Sequence, residues 1–300
     1  MVRGEMMNTI ELKNLTKTFG SFTAVNQMNL DIKEGEVFGF IGPNGAGKST
    51  TIRMLLGLLQ PTAGEVYIFG QNIKHEGHKI RQQIGYLPSE VHFYESMSVM
   101  EILKYSMDFY PNTSKQELEH YLELFQLDPN KKMKSLSLGN KKKVAIIQSF
   151  LHNPDLLILD EPTNGLDPLM QDVFFSVLKK EKEKGKTIFF STHILSEIEK
   201  ICDRFAIIKD GSLVDVEDVQ KVKENKVRIV RVSFTDQSDL PNIQHPNILK
   251  VEKEHGTISY FISGKMNEVL KAIVQFDIED IKIDEPSIEE IFMHHYKKEG

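Results

Sequence analysis

The sequence predicts an α/β fold with an antiparallel β subdomain, a helical insert and a small C-terminal α+β domain. The apolar strand pattern of Val37–Ile41 is followed by a glycine-rich loop and by the helix pattern of residues 49–59. Strand and helix patterns alternate again between residues 156 and 202. Such alternation is typical of a mostly parallel sheet with helices on both faces.

The antiparallel β subdomain is predicted from the first seventy residues. Residues 10–15 and 24–32 alternate apolar and polar side chains, as half-buried strands do. We expect Lys33–Glu36 to form a hairpin turn after them, because a glycine lies among polar residues there. Residues 64–73 show a further strand pattern.

The helical insert is predicted at about residues 86–150. Ser98–Glu101 and Ser114–Glu117 are capping boxes, and apolar residues recur on one face of each helix that follows. A third helix is expected over residues 144–151. We therefore place the insert within a framework that extends over residues 8–218.

Residues 219–300 are predicted to form a separate accessory domain. The charged segment 217–226 is interpreted as a linker, and no combination of residues beyond it indicates chemistry. The expected elements are strands around 230–234, 250–253, 257–262 and 278–283, an amphipathic helix over 266–274 and a last helix beginning at Pro286–Glu290.

Composition limits the class of protein. The chain has 300 residues, of which 40% are hydrophobic, and a net charge of −6. It has no apolar stretch of the roughly 18 to 20 residues that span a bilayer and no signal-peptide core, so we expect a cytosolic protein. The single cysteine, Cys202, excludes an internal disulfide. The acidic charge argues against nucleic acid as the main partner.

Residues 42–50, Gly-Pro-Asn-Gly-Ala-Gly-Lys-Ser-Thr, match the phosphate-binding loop pattern G-x-x-x-x-G-K-[ST]. The loop lies between a predicted strand and a predicted helix, which is the context that the pattern requires. Its glycines allow backbone N–H groups and the helix N-terminus to surround an anion. Lys48 would contact the β- and γ-phosphates, and Ser49 would hold Mg²⁺.

Two acids, Asp160 and Glu161, follow the apolar run Leu156–Leu159. An aspartate in this position can hold Mg²⁺ through water. A neighbouring carboxylate can orient or deprotonate an attacking water. Taken alone, the pattern also fits a strand that ends in a polar loop.

The order of these motifs resembles the ATP-binding cassette family over about residues 8–218. Leu136–Asn140 stands where that family has its LSGGQ signature, and Ile158–Pro168 follows about twenty residues later. His193 comes directly after the predicted strand 187–192. The resemblance implies a P-loop nucleotide-binding cassette that hydrolyses ATP with Mg²⁺.

The resemblance also implies roles for individual residues. Glu161 would be the general base, and His193 would contact the γ-phosphate, although a lone histidine after a strand is often an ordinary polar residue. Ser49 and Asp160 would hold the metal. Phe19 would stack on adenine near Val25, with a core phenylalanine as an equal alternative. The implied triphosphate-binding residues are Asn44, Gly45, Ala46, Gly47, Lys48, Ser49 and Thr50.

A second molecule is implied as well. Ser137 and Gly139 would begin a helix whose N-terminus points at the γ-phosphate bound to another subunit. Asp167 would cross the same interface. One chain has one phosphate loop and one signature, so the resemblance implies that two chains sandwich two ATP molecules head to tail. The partner would be a second copy of the chain or a homologous cassette.

The resemblance further implies a membrane transporter. Integral-membrane permease subunits would be separate chains that dock on the helical insert and on the loop at Ser89–Glu90. Pro286–Phe292 resembles a C-terminal sequence motif of the ATP-binding subunits of two-component exporters. We therefore expect the ATP-hydrolysing subunit of an exporter, bound peripherally to the inner face of the cell membrane.

Three departures from the family pattern stand out. Ser89–Glu90 replaces the loop glutamine, so Glu90 could coordinate the metal, or Ser89 could do so through water. Leu138 replaces the first glycine of the signature. Asn140–Lys143 replaces a glutamine-rich segment. With Lys131, Lys132 and Lys134 these lysines are interpreted as a solvated face, with electrostatic steering of ATP as the alternative.

Two other functions stay open at this point. One is a soluble ATP-switched module that acts on nucleic acid or ribosomes, but such relatives usually carry two cassettes or a coiled-coil insert. The other is a nucleotide-binding regulator without turnover, which would need neither Glu161 nor His193.

Overall fold

The computed structural model describes residues 8–110, 113–224, 227–235, 241, 243–254 and 256–284. The chain divides into two compact units between Asp218 and Val219. The predicted helix at Pro286–Phe292 lies outside the described residues.

The strands are β1 (Asn8–Phe19), β2 (Phe22–Lys33), β3 (Val37–Ile41), β4 (Ala63–Ile68), β5 (Gln71–Asn72), β6 (Ile84–Leu87), β7 (Leu156–Asp160), β8 (Thr187–Thr192), β9 (Arg204–Lys209), β10 (Ser212–Asp218), β11 (Val227–Phe234), β12 (Ile248–Glu254), β13 (Thr257–Ser263) and β14 (Ile278–Asp284). The α-helices are α1 (Lys48–Leu55), α2 (Ile73–Arg81), α3 (Val99–Met107), α4 (Lys115–Leu124), α5 (Leu138–Phe150), α6 (Pro168–Glu183), α7 (Leu195–Ile201), α8 (Val219–Glu224) and α9 (Met266–Ile273).

The first unit contains an antiparallel sheet with the strand order β2-β1-β4-β5. The chain reverses between β1 and β2 at Gly20–Ser21, where Gly20 has a φ of 57°. The hairpin turn expected at Lys33–Glu36 is therefore wrong. That segment leads from β2 into a different sheet, because all five residues of β3 are buried and pair with parallel neighbours.

The second sheet of this unit has the order β10-β9-β3-β8-β7-β6. The five strands from β9 to β6 in this order run parallel, and β10 is an antiparallel edge strand. This confirms the predicted mostly parallel α/β sheet. The β9–β10 hairpin turns at Asp210–Gly211, where φ values of 49° and 78° suit a tight primed turn.

The parallel pairing positions the site. β3 pairs with β8 from Val37 to Ile41, and β7 pairs with β8 up to Asp160. The carboxyl ends of these three strands therefore meet at one edge of the sheet. This edge is where open α/β sheets bind ligands.

The helical segments differ in detail from the prediction. β6 ends at Leu87, and the first insert helix begins at Val99, directly after the predicted cap Ser98. Ser98 forms both bonds of the predicted capping box. The third helix begins at Leu138, after Ser137 as the resemblance implies, and so extends the 144–151 pattern by six residues; Ser137 accepts a hydrogen bond from the Asn140 N–H at 3.3 Å.

Two helices were not predicted. The helix α2 has a glycine in its middle and a non-helical backbone at Glu76, and these features weaken its sequence pattern. The segment 217–226, interpreted as a linker, contains α8. Among the described residues, no helix is both long enough and apolar enough to cross a membrane.

The second unit is a four-stranded antiparallel sheet with the order β12-β13-β11-β14. The helix α9 packs on it, and the fully buried Val269 and Ile273 join Val230, Val232 and Tyr260 in one apolar core. The amphipathic pattern of residues 266–274 thus corresponds to a helix that covers one sheet face.

Candidate nucleotide site

The phosphate-binding loop connects β3 to α1. Gly47 caps the helix with a φ of 106°, and a Cβ there would lie 2.5 Å from the Ala24 carbonyl oxygen, so only glycine fits. The first helical N–H groups, at Lys48, Ser49 and Thr50, have no acceptor one turn earlier. The loop therefore presents backbone donors at a positive helix end, which fits the phosphates of a nucleotide.

The side chain of Lys48 is only 5% exposed at this edge. Its Nζ donates hydrogen bonds to the carbonyl oxygens of Gly42 at 2.7 Å and Pro43 at 3.2 Å. It also lies 3.3 Å from Oε1 of Glu161. The loop lysine and the second acid of the pair are thus in direct contact.

Glu161 follows β7 with a φ of 45°, a left-handed conformation that is strained for a residue with a side chain. Its N–H donates to the carbonyl oxygen of Ser191 at 3.1 Å, which ties this backbone to β8. Its Oε1 lies 3.5 Å from Nδ1 of His193. The Asn164 amide donates a hydrogen bond to the same carboxylate.

These contacts control the ionisation of Glu161. Burial by itself would raise the pKa of the carboxyl, but the charge of Lys48 outweighs it together with His193 and the hydrogen bond from Asn164. The net result is a pKa below the ordinary value. Glu161 is therefore ionised at neutral pH and able to accept a proton.

Asp160 is buried and accepts a hydrogen bond from Oγ of Ser191 at 2.6 Å. Ser49 is half-buried in the first turn of α1. A carboxylate and a hydroxyl are the oxygen ligands that suit Mg²⁺, which keeps several waters and binds substrate phosphates. The described residues hold no group of three or more acids, histidines or cysteines that could enclose a metal, and Mg²⁺ does not need one.

Glu90 lies apart from these ligands. Its side chain is 88% exposed, and its carboxylate is 3.9 Å from Nε2 of His92. Within the described part of the chain, no hydrogen bond or ion pair joins Glu90 to Ser49 or Asp160. The structure does not bring this expected metal ligand to the metal site.

Phe19 and Val25 have different environments. Phe19 is 49% exposed at the end of β1, with Lys17 Nζ 5.1 Å from its ring centroid, so it is not a core phenylalanine. Val25 is fully buried. A Cβ on Gly47 would lie 3.5 Å from Val25 Cγ2, so Val25 supports the phosphate-binding loop. The place of Val25 among the expected nucleotide-binding residues stays a prediction.

The signature residues lie at the exposed start of α5. Ser137 caps this helix, and the next residue, Leu138, is 67% exposed. A Cβ on Gly139 would lie 2.5 Å from the carbonyl oxygen of Gly165, so the helix start packs against the loop before α6. Asp167 caps α6 by accepting a hydrogen bond from the Met170 N–H at 3.0 Å. The hydrogen bonds that Ser137 makes among the described residues stay within α5 and do not reach the phosphate-binding loop of the same chain.

The sequence reasoning missed a buried carboxylate, Glu197. It accepts hydrogen bonds from Oγ1 of Thr163 at 2.6 Å and Oγ1 of Thr192 at 2.5 Å. It thereby ties the loop after Glu161 to the residue before His193. An acid in the first turn of a helix is common, so the sequence carries no signal for this role.

The lysines of α5 also differ from expectation. Lys142 and Lys143 are buried, so the solvated-face interpretation is wrong for both. Nζ of Lys142 donates to the carbonyl oxygens of Pro88 at 2.9 Å and Ser89 at 3.0 Å. Burial lowers the pKa of Lys142 to about 8, although the charges of Asp160 and Glu161 oppose this shift.

Comparison with known proteins decides the family. Residues 25–164 match the family described as ABC transporter. The chain is 35% identical over 297 residues to the bacitracin transport ATP-binding protein BcrA of Bacillus licheniformis, covering 96% of this chain and 97% of that protein. The chain belongs to the ABC transporter ATP-binding family. It is an ATPase, the ATP-binding and ATP-hydrolysing subunit of a membrane transporter.

Other relatives support the same assignment. This chain is 38% identical over 210 residues to the probable multidrug ABC transporter ATP-binding protein YbhF of Escherichia coli. The match covers 68% of this chain and 36% of YbhF. A dimeric post-hydrolysis structure of the cassette MJ0796 with ADP and Pi is similar, with a TM-score of 0.64, 29% identity and coverage of 70% and 98%. A structure described as the ATP-binding subunit of an ABC transporter has a TM-score of 0.67 and 32% identity, with coverage of 72% and 92%.

Proposed function

We propose that two copies of this ABC ATPase close head to tail around two Mg-ATP molecules and drive an exporter whose permease is a separate chain. The main support is the contrast between two helix ends in one chain. The N-terminus of α1 adjoins Lys48, Glu161 and His193, whereas the N-terminus of α5 is capped by Ser137 and exposed, and no ion pair among the described residues lies at it. The second helix end is free to serve another molecule.

In the first step, the loop residues from Asn44 to Thr50 bind the triphosphate. Lys48 turns from Glu161 to the β- and γ-phosphates, and the loss of this ion pair removes the main charge that keeps the pKa of Glu161 low. The freed carboxylate becomes a stronger base and accepts a proton from the attacking water. His193, 3.5 Å from the same carboxylate, contacts the γ-phosphate.

Asp160 and Ser49 would hold Mg²⁺, which would supply charge neutralisation at the phosphates. Ser191 fixes Asp160 through the 2.6 Å hydrogen bond. Because Glu90 is exposed, it takes no part in this set. Phe19, exposed near the loop end of β1, stacks on adenine, and its ring is already in contact with a cation at Lys17.

The second copy completes each site. Ser137 and Gly139 of one chain place the N-terminus of α5 against the γ-phosphate held by the other chain. Asp167, which caps α6 beside that helix start, lies at the same interface. Hydrolysis removes the charge that holds the two chains together, so closure and opening follow the nucleotide.

The permease docks on the helical insert. Tyr94, Tyr105 and Phe109 are exposed there, and Phe109 lines a groove with Leu58 and His152. Aromatic side chains of this kind are enriched in the cores of protein interfaces. We assign this surface to a cytoplasmic segment of the permease, so the ATPase lies at the inner face of the membrane.

Export as the direction of transport rests on the relatives. One is named for bacitracin transport and another for probable multidrug transport. The cargo class would then be antibiotics, peptides, lipids or drugs. Residues 219–300 are proposed as an accessory domain. The alternative of a module acting on nucleic acid or ribosomes has no comparable support.

Membrane fractionation tests the docking part of this proposal. We expect the tagged chain in its native cells to sediment with membranes after nuclease treatment. The Tyr105→Ser/Phe109→Ser variant should be released from membranes while the purified protein keeps its ATP hydrolysis. Val214→Ser, at an exposed apolar residue on β10, is the matched control. Release by nuclease alone, or retention of the double variant, would contradict the proposal.

A further inference from the structure

Lys142 makes an unusual contact in the insert. It lies on α5, is 2% exposed, and donates hydrogen bonds to two successive carbonyl oxygens, of Pro88 and Ser89. This is the loop in which Ser89–Glu90 replaces the glutamine expected from the family. A side chain from the signature helix therefore holds the main chain of that loop.

The contact has an energetic cost that calls for an explanation. Among the described residues no carboxylate forms an ion pair with Lys142, and an ammonium group buried in this way must be stabilised by dipoles because its desolvation is unfavourable. Here two carbonyl dipoles supply direct contacts, while Asp160 and Glu161 act from a distance. A neutral side chain would avoid this cost, and it would also release the loop.

The two ends of this link reach different nucleotides. Upstream of the loop, β6 pairs in parallel with β7, with Leu87 opposite Leu159, so the loop begins beside Asp160. The helix α5 has Ser137 as its N-cap, five residues before Lys142. In the head-to-tail dimer, Asp160 and Glu161 face the chain's own ATP, whereas Ser137 faces the ATP of the second copy.

We propose that Lys142 is a positioning residue that couples the two nucleotide sites of the dimer. It fixes the loop beside one site to the helix that completes the other. When nucleotide binding displaces the loop, the loop and the N-terminus of α5 then move together. This inference rests on the proposed sandwich dimer, because a single chain has no second site to couple.

The test compares three variants of the full chain. Lys142→Met removes the donors and keeps the length of the side chain, Lys142→Arg retains donors for both carbonyl oxygens, and Lys131→Met removes an exposed lysine of the insert as a control. Hydrolysis is measured against ATP concentration, and nucleotide affinity is measured at protein concentrations where the chain is monomeric.

We expect a Hill coefficient above 1, with an upper limit of about 2 set by the two sites, for the unmodified chain and for Lys131→Met. Lys142→Met should lower it to about 1 and lower kcat roughly tenfold through misplacement of α5. Lys142→Arg should restore both. The affinity of the monomer for Mg-ATP should be the same in all of them, because a loss of folding or of the phosphate-binding loop would change it.

The outcomes separate this proposal from the dimer on which it rests. If the unmodified chain dimerises with ATP and Lys142→Met keeps its cooperativity and kcat, Lys142 does not couple the sites. A loss of monomer affinity in Lys142→Met would assign it a merely structural role and would also overturn the proposal. If Lys142→Met fails to fold, Lys142→Leu, which also removes the donors to Pro88 and Ser89, replaces it with the same expectations. A chain that stays monomeric with ATP overturns the dimer itself.

Discussion

Two helix N-termini of this chain, those of α1 and α5, are proposed to bind the phosphates of ATP, and they differ in what surrounds them. The N-terminus of α1 is enclosed by buried strands, with Lys48 in contact with Glu161 across the sheet edge. The N-terminus of α5 is capped by Ser137 and exposed, and at Gly139 it packs on the loop at Gly165. In the proposed dimer, folding alone assembles the half of the site at α1, while the half at α5 requires association with a second chain.

The largest effect is expected at the enclosed end. Lys48→Ala removes the charge that contacts the phosphates, so it should abolish nucleotide retention. Equilibrium binding of radiolabelled ATP measures this, with Lys33→Ala, at an exposed lysine, as the control. Retention equal to that of the unmodified chain would show that the loop at α1 does not bind the triphosphate.

The next effect concerns chemistry without binding. Glu161→Gln removes the general base and should lower the rate of hydrolysis by at least ~10²-fold while ATP still binds. Phosphate release is the measurement. Glu183→Gln, at an exposed acid in the last turn of α6, should behave like the unmodified chain. Unchanged turnover in Glu161→Gln would exclude the role assigned to this carboxylate.

A smaller effect is expected at the exposed end. Gly139→Ala would place a Cβ 2.5 Å from the Gly165 carbonyl oxygen, so the start of α5 must shift. Because a misplacement of about 1 Å can cost up to ~10²-fold, we expect hydrolysis to fall about tenfold or more. Binding of ATP to the monomer should not change. Equal losses in binding and hydrolysis would remove the distinction between the two helix ends.

The smallest effect is a pH dependence of stability. Burial opposes the ionisation of Glu161, but Lys48, His193 and Asn164 hold its pKa below the ordinary value. A carboxyl with a lowered pKa stabilises the fold fully above the unfolded value of about 4.3, and this contribution is lost as the pH falls through the lower folded pKa. Chemical denaturation should therefore show that the stability difference between the unmodified chain and Glu161→Gln shrinks in that window. A constant difference there, as expected for Glu183→Gln, would contradict the ion pair.

The phosphate-binding loop at α1 and the strands beside it could be predicted from the sequence. The motif at residues 42–50, the buried strand before Asp160 and the strand before His193 predict both the parallel sheet and the family, and these predictions are confirmed. Such elements follow from local apolar periodicity and from glycines at positions where few other residues fit the backbone. The hairpin placed at Lys33–Glu36 failed because local turn chemistry does not say which sheet the next strand joins.

Other features depend on distant contacts and leave no local pattern. Lys142 lies in a run of lysines that suggests a solvated face, yet its environment is set by the Pro88 and Ser89 carbonyl oxygens more than fifty residues earlier. Glu197 similarly joins two loops through Thr163 and Thr192. The burial of Val25 beneath Gly47 depends on how the antiparallel sheet meets the loop.

Sedimentation equilibrium of the Glu161→Gln variant with saturating Mg-ATP tests the central claim most directly, because this variant is expected to bind ATP without consuming it. We predict a species with the mass of two chains, which reverts to one chain when ATP is removed. Replacing Ser137 by arginine in the same variant should prevent the association and leave ATP binding to the monomer intact. A Glu161→Gln chain that remains strictly monomeric at saturating Mg-ATP would contradict the account.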